Sequence, residues 1–112
     1  MSTRATIHFC YEKDAEAIIY RHGDGYPEGL GEDLKEFFNE VDKLNDKRFD
    51  DPQYLAAKWV VWDSQKHNRS SNPLDFLSVG IVLKDPSDIE YRYLIDCSIN
   101  TNGKPTITIE EI

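Results

Sequence analysis

The sequence predicts an α+β fold, a mainly antiparallel five-stranded sheet with two helices packed on one face, in the chain order ββααβββ. Three observations predict it. Apolar and polar residues alternate from Thr3 to Tyr11 and again from Ile89 to Ser98, the period-two pattern of half-buried strands. Between these stretches, Leu34, Phe37, Phe38, Val41 and Leu44 recur at spacings of three and four, which marks an amphipathic helix. Asp51-Pro52 then supplies a cap and a first-turn proline for a second helix. With 112 residues and neither linker nor internal repeat, residues 1–112 form a single domain.

In the first strand Ala5, Ile7, Phe9 and Tyr11 share one face, and Arg4, Thr6, His8 and Cys10 share the other. A tight turn at Lys13-Asp14 leads to a second strand from Glu16 to His22. A two-residue loop sets Arg4 opposite Gly23 and a three-residue loop sets it opposite Asp24, so both place its guanidinium beside the turn that follows. Glu32 and Asp33 in the first turn of the first helix suit its positive dipole end. The second helix runs to about Gln65. Eight of its nine residues from Tyr54 to Trp62 are hydrophobic and only Lys58 is polar, too apolar for a helix with its back in water. Either the first helix covers it or another surface does. His67 to Pro73 reads as a polar loop, with His67 a plain loop residue, before a third, buried strand from Phe76 to Leu83 that contains Gly80. Asp85-Pro86-Ser87-Asp88 turns the chain into the fourth strand, and Asn102-Gly103 turns it into the fifth around Thr106 to Ile109. The short links make the last three strands a meander, leaving the second sheet face polar or buried in a dimer.

Composition narrows the function classes. The chain is 39% hydrophobic and 12% aromatic, enough to bury a real core. Its net charge of −8, from 21 acids against 13 bases, argues against direct nucleic-acid binding, which rests on clustered Lys and Arg. A macromolecular partner is expected to be basic. The acid is concentrated from Glu28 to Asp51, where nine carboxylates face Lys35, Lys43, Lys47 and Arg48 for a local net of −5. No apolar run approaches the ~18 residues a membrane span needs, and the N-terminus lacks a secretory pattern, so a cytoplasmic protein with no membrane partner is expected. Cys10 and Cys97 fit neither a disulfide framework nor zinc-ligand spacing and read as reduced packing residues.

The densest polar chemistry lies in Tyr20 to Gly29, Tyr-Arg-His-Gly-Asp-Gly-Tyr-Pro-Glu-Gly. His22, Asp24, Tyr26 and Glu28, joined by Arg4 from the first strand, form a candidate ligand or polar cluster. His22, Asp24 and Glu28, with His8, are ligand types for a divalent metal, but no helical or strand spacing fixes their geometry, and neither metal nor cofactor is expected. Acid–base catalysis would use His22 oriented by Asp24, with Arg4 or Arg92 holding an anion. No serine or cysteine has a recognisable nucleophile setting, so no catalytic residue is assigned. In the structural reading, which is favoured, Arg4 pairs with Asp24, His22 bonds the turn backbone, and Tyr26-Pro27 fastens the chain to the first helix.

The stretches Ser2 to Thr6, Ile19 to Gly29 and Glu90 to Tyr93 resemble those of a family of small bacterial and phage proteins. These open with Ser-Thr-Arg-Ala-Thr, carry Ile-Tyr-x-His-x-Asp-Gly-Tyr-Pro-Glu-Gly, and later have a Glu-Tyr-Arg-Tyr strand. The resemblance implies a phage or mobile-element setting and no activity. Leu94 stands where those proteins usually have Asp, which removes any shared aspartate there. The reading adopted is a non-catalytic binding protein whose acidic helix surface, with Glu32, Asp33, Glu36 and Glu40, engages a basic protein partner, in the manner of a nucleic-acid charge mimic. The alternatives are a small-ligand binder or small enzyme built on His22 and Asp24, and a structural protein acting as a homodimer.

Overall fold

A computed structural model describes residues 2–101 and 103–112. The fold is α+β: strands β1 (Ala5–Tyr11) and β2 (Asp14–Arg21), helices α1 (Glu32–Val41) and α2 (Pro52–His67), then strands β3 (Val79–Val82), β4 (Tyr91–Thr101) and β5 (Lys104–Glu111). A wide π-type turn, Pro27–Gly31, runs directly into α1. The sheet corrects the expectation in two respects. It is mixed rather than mainly antiparallel, because β1 and β4 pair in parallel at its centre. The last three strands do not form a meander, for the spatial order is β3-β2-β1-β4-β5. The helix pair is the physical reason. It returns the chain to the free edge of β2, where β3 pairs antiparallel, and the link after β3 must cross to the far side of β1.

The β1–β2 turn sits one residue earlier than expected, at Glu12 and Lys13, with Tyr11 opposite Asp14 and Glu12 at φ 58°. A bulge between Phe9 and Cys10 then shifts the register so that Ala5 faces Arg21. This sets Arg4 level with His22, short of both expected positions. The bulge also keeps Ile7, Phe9 and Ile19 on the core face, where they are almost fully buried.

The core lies between the sheet and the two helices. It gathers Ile7, Phe9, Ile19, Tyr93 and Ile95 from the strands and Leu34, Phe37, Phe38, Leu55 and Trp59 from the helices. The Phe37 ring meets Trp59 edge-on at 5.3 Å and Trp62 at 5.9 Å, so α1 covers one side of the unusually apolar α2. Asp51 caps α2 by accepting the Tyr54 N–H at 3.3 Å, with Pro52 in the first turn. The helix runs on through His67, which is therefore helical and not a loop residue.

Strand β3 is shorter than the expected Phe76 to Leu83 and is not buried, because it forms an edge of the sheet with Ile81 exposed. Phe76 adopts φ 54° and lies exposed ahead of it. Of the Asn102-Gly103 turn, Asn102 lies outside the described residues, and Gly103 takes φ 81°. Among the described residues, no helix is long and apolar enough to cross a membrane.

Candidate functional site

The Tyr20 to Gly29 segment is held by its backbone. Gly25 donates its N–H to the Thr3 carbonyl and Leu30 donates to the Asp24 carbonyl, both at 2.9 Å. The buried Tyr93 hydroxyl donates to the Gly25 carbonyl at 2.7 Å. A Cβ at Gly25 would stand 2.8 Å from the Thr3 carbonyl oxygen, and one at Gly29 would stand 2.5 Å from that of Asp24. Glycine is thus required at both positions by close backbone approach. Asp24 takes φ 53°, a left-handed conformation that aspartate tolerates better than most residues.

The side chains of this segment do not converge. Arg4 forms an ion pair with Asp88 of the β3–β4 link, not with Asp24. His22 is exposed, and its Nδ1 lies 3.1 Å from the Tyr20 hydroxyl. Tyr26 donates to Asp24 at 3.3 Å, and that carboxylate raises the pKa of its phenol. Glu28 is exposed in the π-type turn. Of the five residues singled out in the sequence, only Asp24 and Tyr26 are brought into contact with each other.

Two other charged networks organise the molecule. Under the helices, Arg21 is 2% exposed and faces two carboxylates. Its Nη2 donates to Asp33 Oδ2 at 3.1 Å, while its Nη1 lies 3.2 Å from Asp63 Oδ1 without hydrogen-bond alignment. Ser78 donates to Asp63 Oδ2 at 2.6 Å. His67 Nε2 is 2.7 Å from Asp33 Oδ2 and 3.2 Å from Arg21 Nη2. Because the guanidinium only donates, the shorter contact assigns the Nε2 proton to Asp33. Burial pushes the Asp33 pKa up, and the hydrogen bonds from His67 and Arg21 more than reverse it, leaving it below the ordinary carboxyl value.

On the opposite sheet face, Asp85 accepts from Thr6 at 2.6 Å, His8 at 2.7 Å and Arg92 at 2.6 Å, and Arg92 also donates to Glu110 at 2.9 Å. Asp85 likewise ends below its ordinary pKa, because these bonds overcome its burial. Both networks pair their carboxylates with cations of the fold itself, and in the first Arg21 Nη1 and Asp63 Oδ1 face each other without a hydrogen bond. Among the described residues, no group of three His, Cys, Asp or Glu side chains is placed to hold a metal ion. Cys10 and Cys97 are buried and not disulfide-bonded, and burial pushes the Cys97 thiol up to about 12.

What the fold leaves open is apolar. Helices α1 and α2 run antiparallel, as the pairs Asp33–His67, Glu36–Lys66 and Glu40–Trp62 require. Between them lies a groove of about 540 Å³, walled by Phe37, Val41, Leu44, Tyr54, Ala57, Val61 and Trp62, with Glu40, Lys58 and Gln65 as its polar lining. Leu44, Tyr54 and Val61 remain 46%, 55% and 58% exposed. Carboxylates stand at both ends. Glu40 accepts from the Trp62 indole at 2.7 Å, a neutral partner that leaves its charge uncompensated, and Glu36 lies one turn away. Asp46, Asp50 and Asp51 cluster around Arg48, which stacks 4.1 Å above the Tyr54 ring. Of the acidic residues expected to form a partner surface, Asp33 is buried in the Arg21 network, and Glu32 pairs with Lys35 at 3.1 Å. Glu36 pairs with Lys66, so of the four only Glu40 keeps an unmatched charge at the groove.

The sequence reasoning passed over Arg21, Asp63 and His67, although a signal was present. Arg21 shares the core phase of β2 with Ile19, and Asp63 follows Leu55 and Trp59 on the buried stripe of α2. Two charges at core-phase positions require each other. Compared with protein-family models, with curated proteins and with solved structures, the chain finds no match in any of the three.

Proposed function

We propose that the protein is a non-catalytic binding module that seats a basic amphipathic helical segment of a partner protein in the groove between α1 and α2. The observation that carries this reading is the groove itself: a mostly apolar wall with Glu40 toward one end and Asp46, Asp50 and Asp51 toward the other, where Lys58 is drawn aside to the Asp46 carbonyl at 3.0 Å, on a chain of net charge −8. Apolar anchors spaced along one helix face, with Lys or Arg at their flanks, are the complement of that surface. Burying the exposed parts of Tyr54, Val61 and Leu44 supplies the affinity. The unmatched Glu40 and the net negative charge of the chain steer the approach and reject acidic segments. The phage-like resemblance fits a small acidic protein that occupies a basic surface of another protein.

The experiment is an NMR titration with two amphipathic helical peptides, one built from Leu and Lys and the other from Leu and Glu. The expected result is that the Leu/Lys peptide alone shifts the resonances of Tyr54, Val61 and Trp62, with binding that weakens as salt is raised. Equal binding of both peptides, or shifts confined to His22 and Asp24, overturns the reading.

A further inference from the structure

Five large apolar side chains lie within ten residues at one edge of the sheet: Leu74, Phe76, Leu77, Ile81 and Leu83, exposed by 81, 86, 48, 81 and 98%. This segment includes β3, which pairs with β2 on one side only. His22 donates its N–H to the Ser78 carbonyl at 2.9 Å. In the alternating antiparallel ladder, residues 78, 80 and 82 therefore bond β2, and the amide and carbonyl groups of Val79, Ile81 and Leu83 point outward. The other edge, β5, is defended by Lys104, Pro105, Glu110 and Glu111, whereas β3 contains neither proline nor charge.

We infer that β3 pairs antiparallel with β3 of a second copy of this chain, about a twofold axis at Ile81, joining two five-stranded sheets into one. In this register Ile81 meets its own counterpart, Val79 faces Leu83, and all three outward-facing residues gain ladder hydrogen bonds. Charge selects this place for self-association. The chain carries −8, but from residue 74 to 84 the only charges are Asp75 and Lys84, which cancel. Lys84 lies opposite Ser78, so no like charges meet.

Analytical ultracentrifugation of the full chain over the micromolar range tests the inference, with Ile81→Lys and Ile81→Cys beside wild type. Ile81 is so exposed in the single chain that neither change disturbs its fold. Wild type is expected to sediment as a dimer. Ile81→Lys is expected to raise the dissociation constant by roughly a hundredfold or more, because the residue occurs twice at the axis. Ile81→Cys is expected to form an interchain disulfide under mild oxidation, which Val82→Cys, on the other sheet face, does not. A wild-type monomer at high-micromolar concentration, or a dimer that survives Ile81→Lys, overturns the inference. A Val61→Glu variant that still dimerises separates this surface from the α1–α2 groove.

Discussion

Helix α2 has two surfaces of opposite character. Toward β2 its buried stripe ends in Asp63 and His67, where each charged group faces Arg21, Asp33 or Ser78. Toward solvent it presents Tyr54 and Val61, apolar and half in water. The polar end has the residue types of a catalytic site and serves as architecture, while the apolar face has the composition of a core and is left uncovered. A buried charge must be matched inside the fold or the fold fails. An exposed apolar side chain costs only about 25 cal/mol per Å², so a contiguous strip of them persists where a partner gains from covering it.

The largest expected effect breaks the polar side of this comparison. Arg21→Ala leaves Asp63 buried without a cation and leaves Asp33 only Lys66 and His67, and is expected to lower stability by about 3–5 kcal/mol, read as the urea midpoint at pH 7. A loss under ~1 kcal/mol would mean that water reaches the network and that it is not a closed structural unit. A smaller effect appears in acid. Asp33 and Asp85 hold folded-state pKa values below those of the unfolded chain, so their stabilisation is complete above the unfolded carboxyl value near ~3.9 and is lost as pH falls through the folded values. Thermal midpoints of wild type are therefore expected to drop below about pH 4. The Asp33→Asn/Asp85→Asn protein is expected to start lower at neutral pH and change less. Equal acid slopes in the two proteins would remove these carboxylates from the account.

Local pattern carried much of the fold. The alternation in Thr3 to Tyr11, the helical stripe from Leu34 and the Asp51-Pro52 start signal each report on neighbours a few residues apart, and each marks its element, although β1 begins only at Ala5 and α1 ends at Val41, short of Leu44. The parallel β1–β4 pairing joins residues more than 80 apart and has no local signature, so strand order could not be read from short links. Phe76 and Leu77 drew the third strand too far toward the N-terminus, because apolar residues in an exposed loop look the same in sequence as those in a buried strand. At the candidate site, Gly25 and Gly29 mark a real backbone constraint, while Gly23 stands in open space. The chemistry read into their polar neighbours did not follow, since Arg4 reaches Asp88 and His22 reaches Tyr20. The charge run along α1 was visible, but its neutralisation by Lys35 and Lys66 depends on helix phase and on the antiparallel partner helix.

The most direct measurement takes Val61→Glu and records two quantities on one sample, the urea midpoint and the titration of the Leu/Lys peptide followed by Trp62 fluorescence. Val61 lies on the open side of the groove, so stability is expected to stay within about 0.5 kcal/mol of wild type while peptide binding disappears. Unchanged binding, or a loss of binding that only tracks a loss of fold, would contradict the claim that the uncovered face of α2 is the part of this molecule made to meet another.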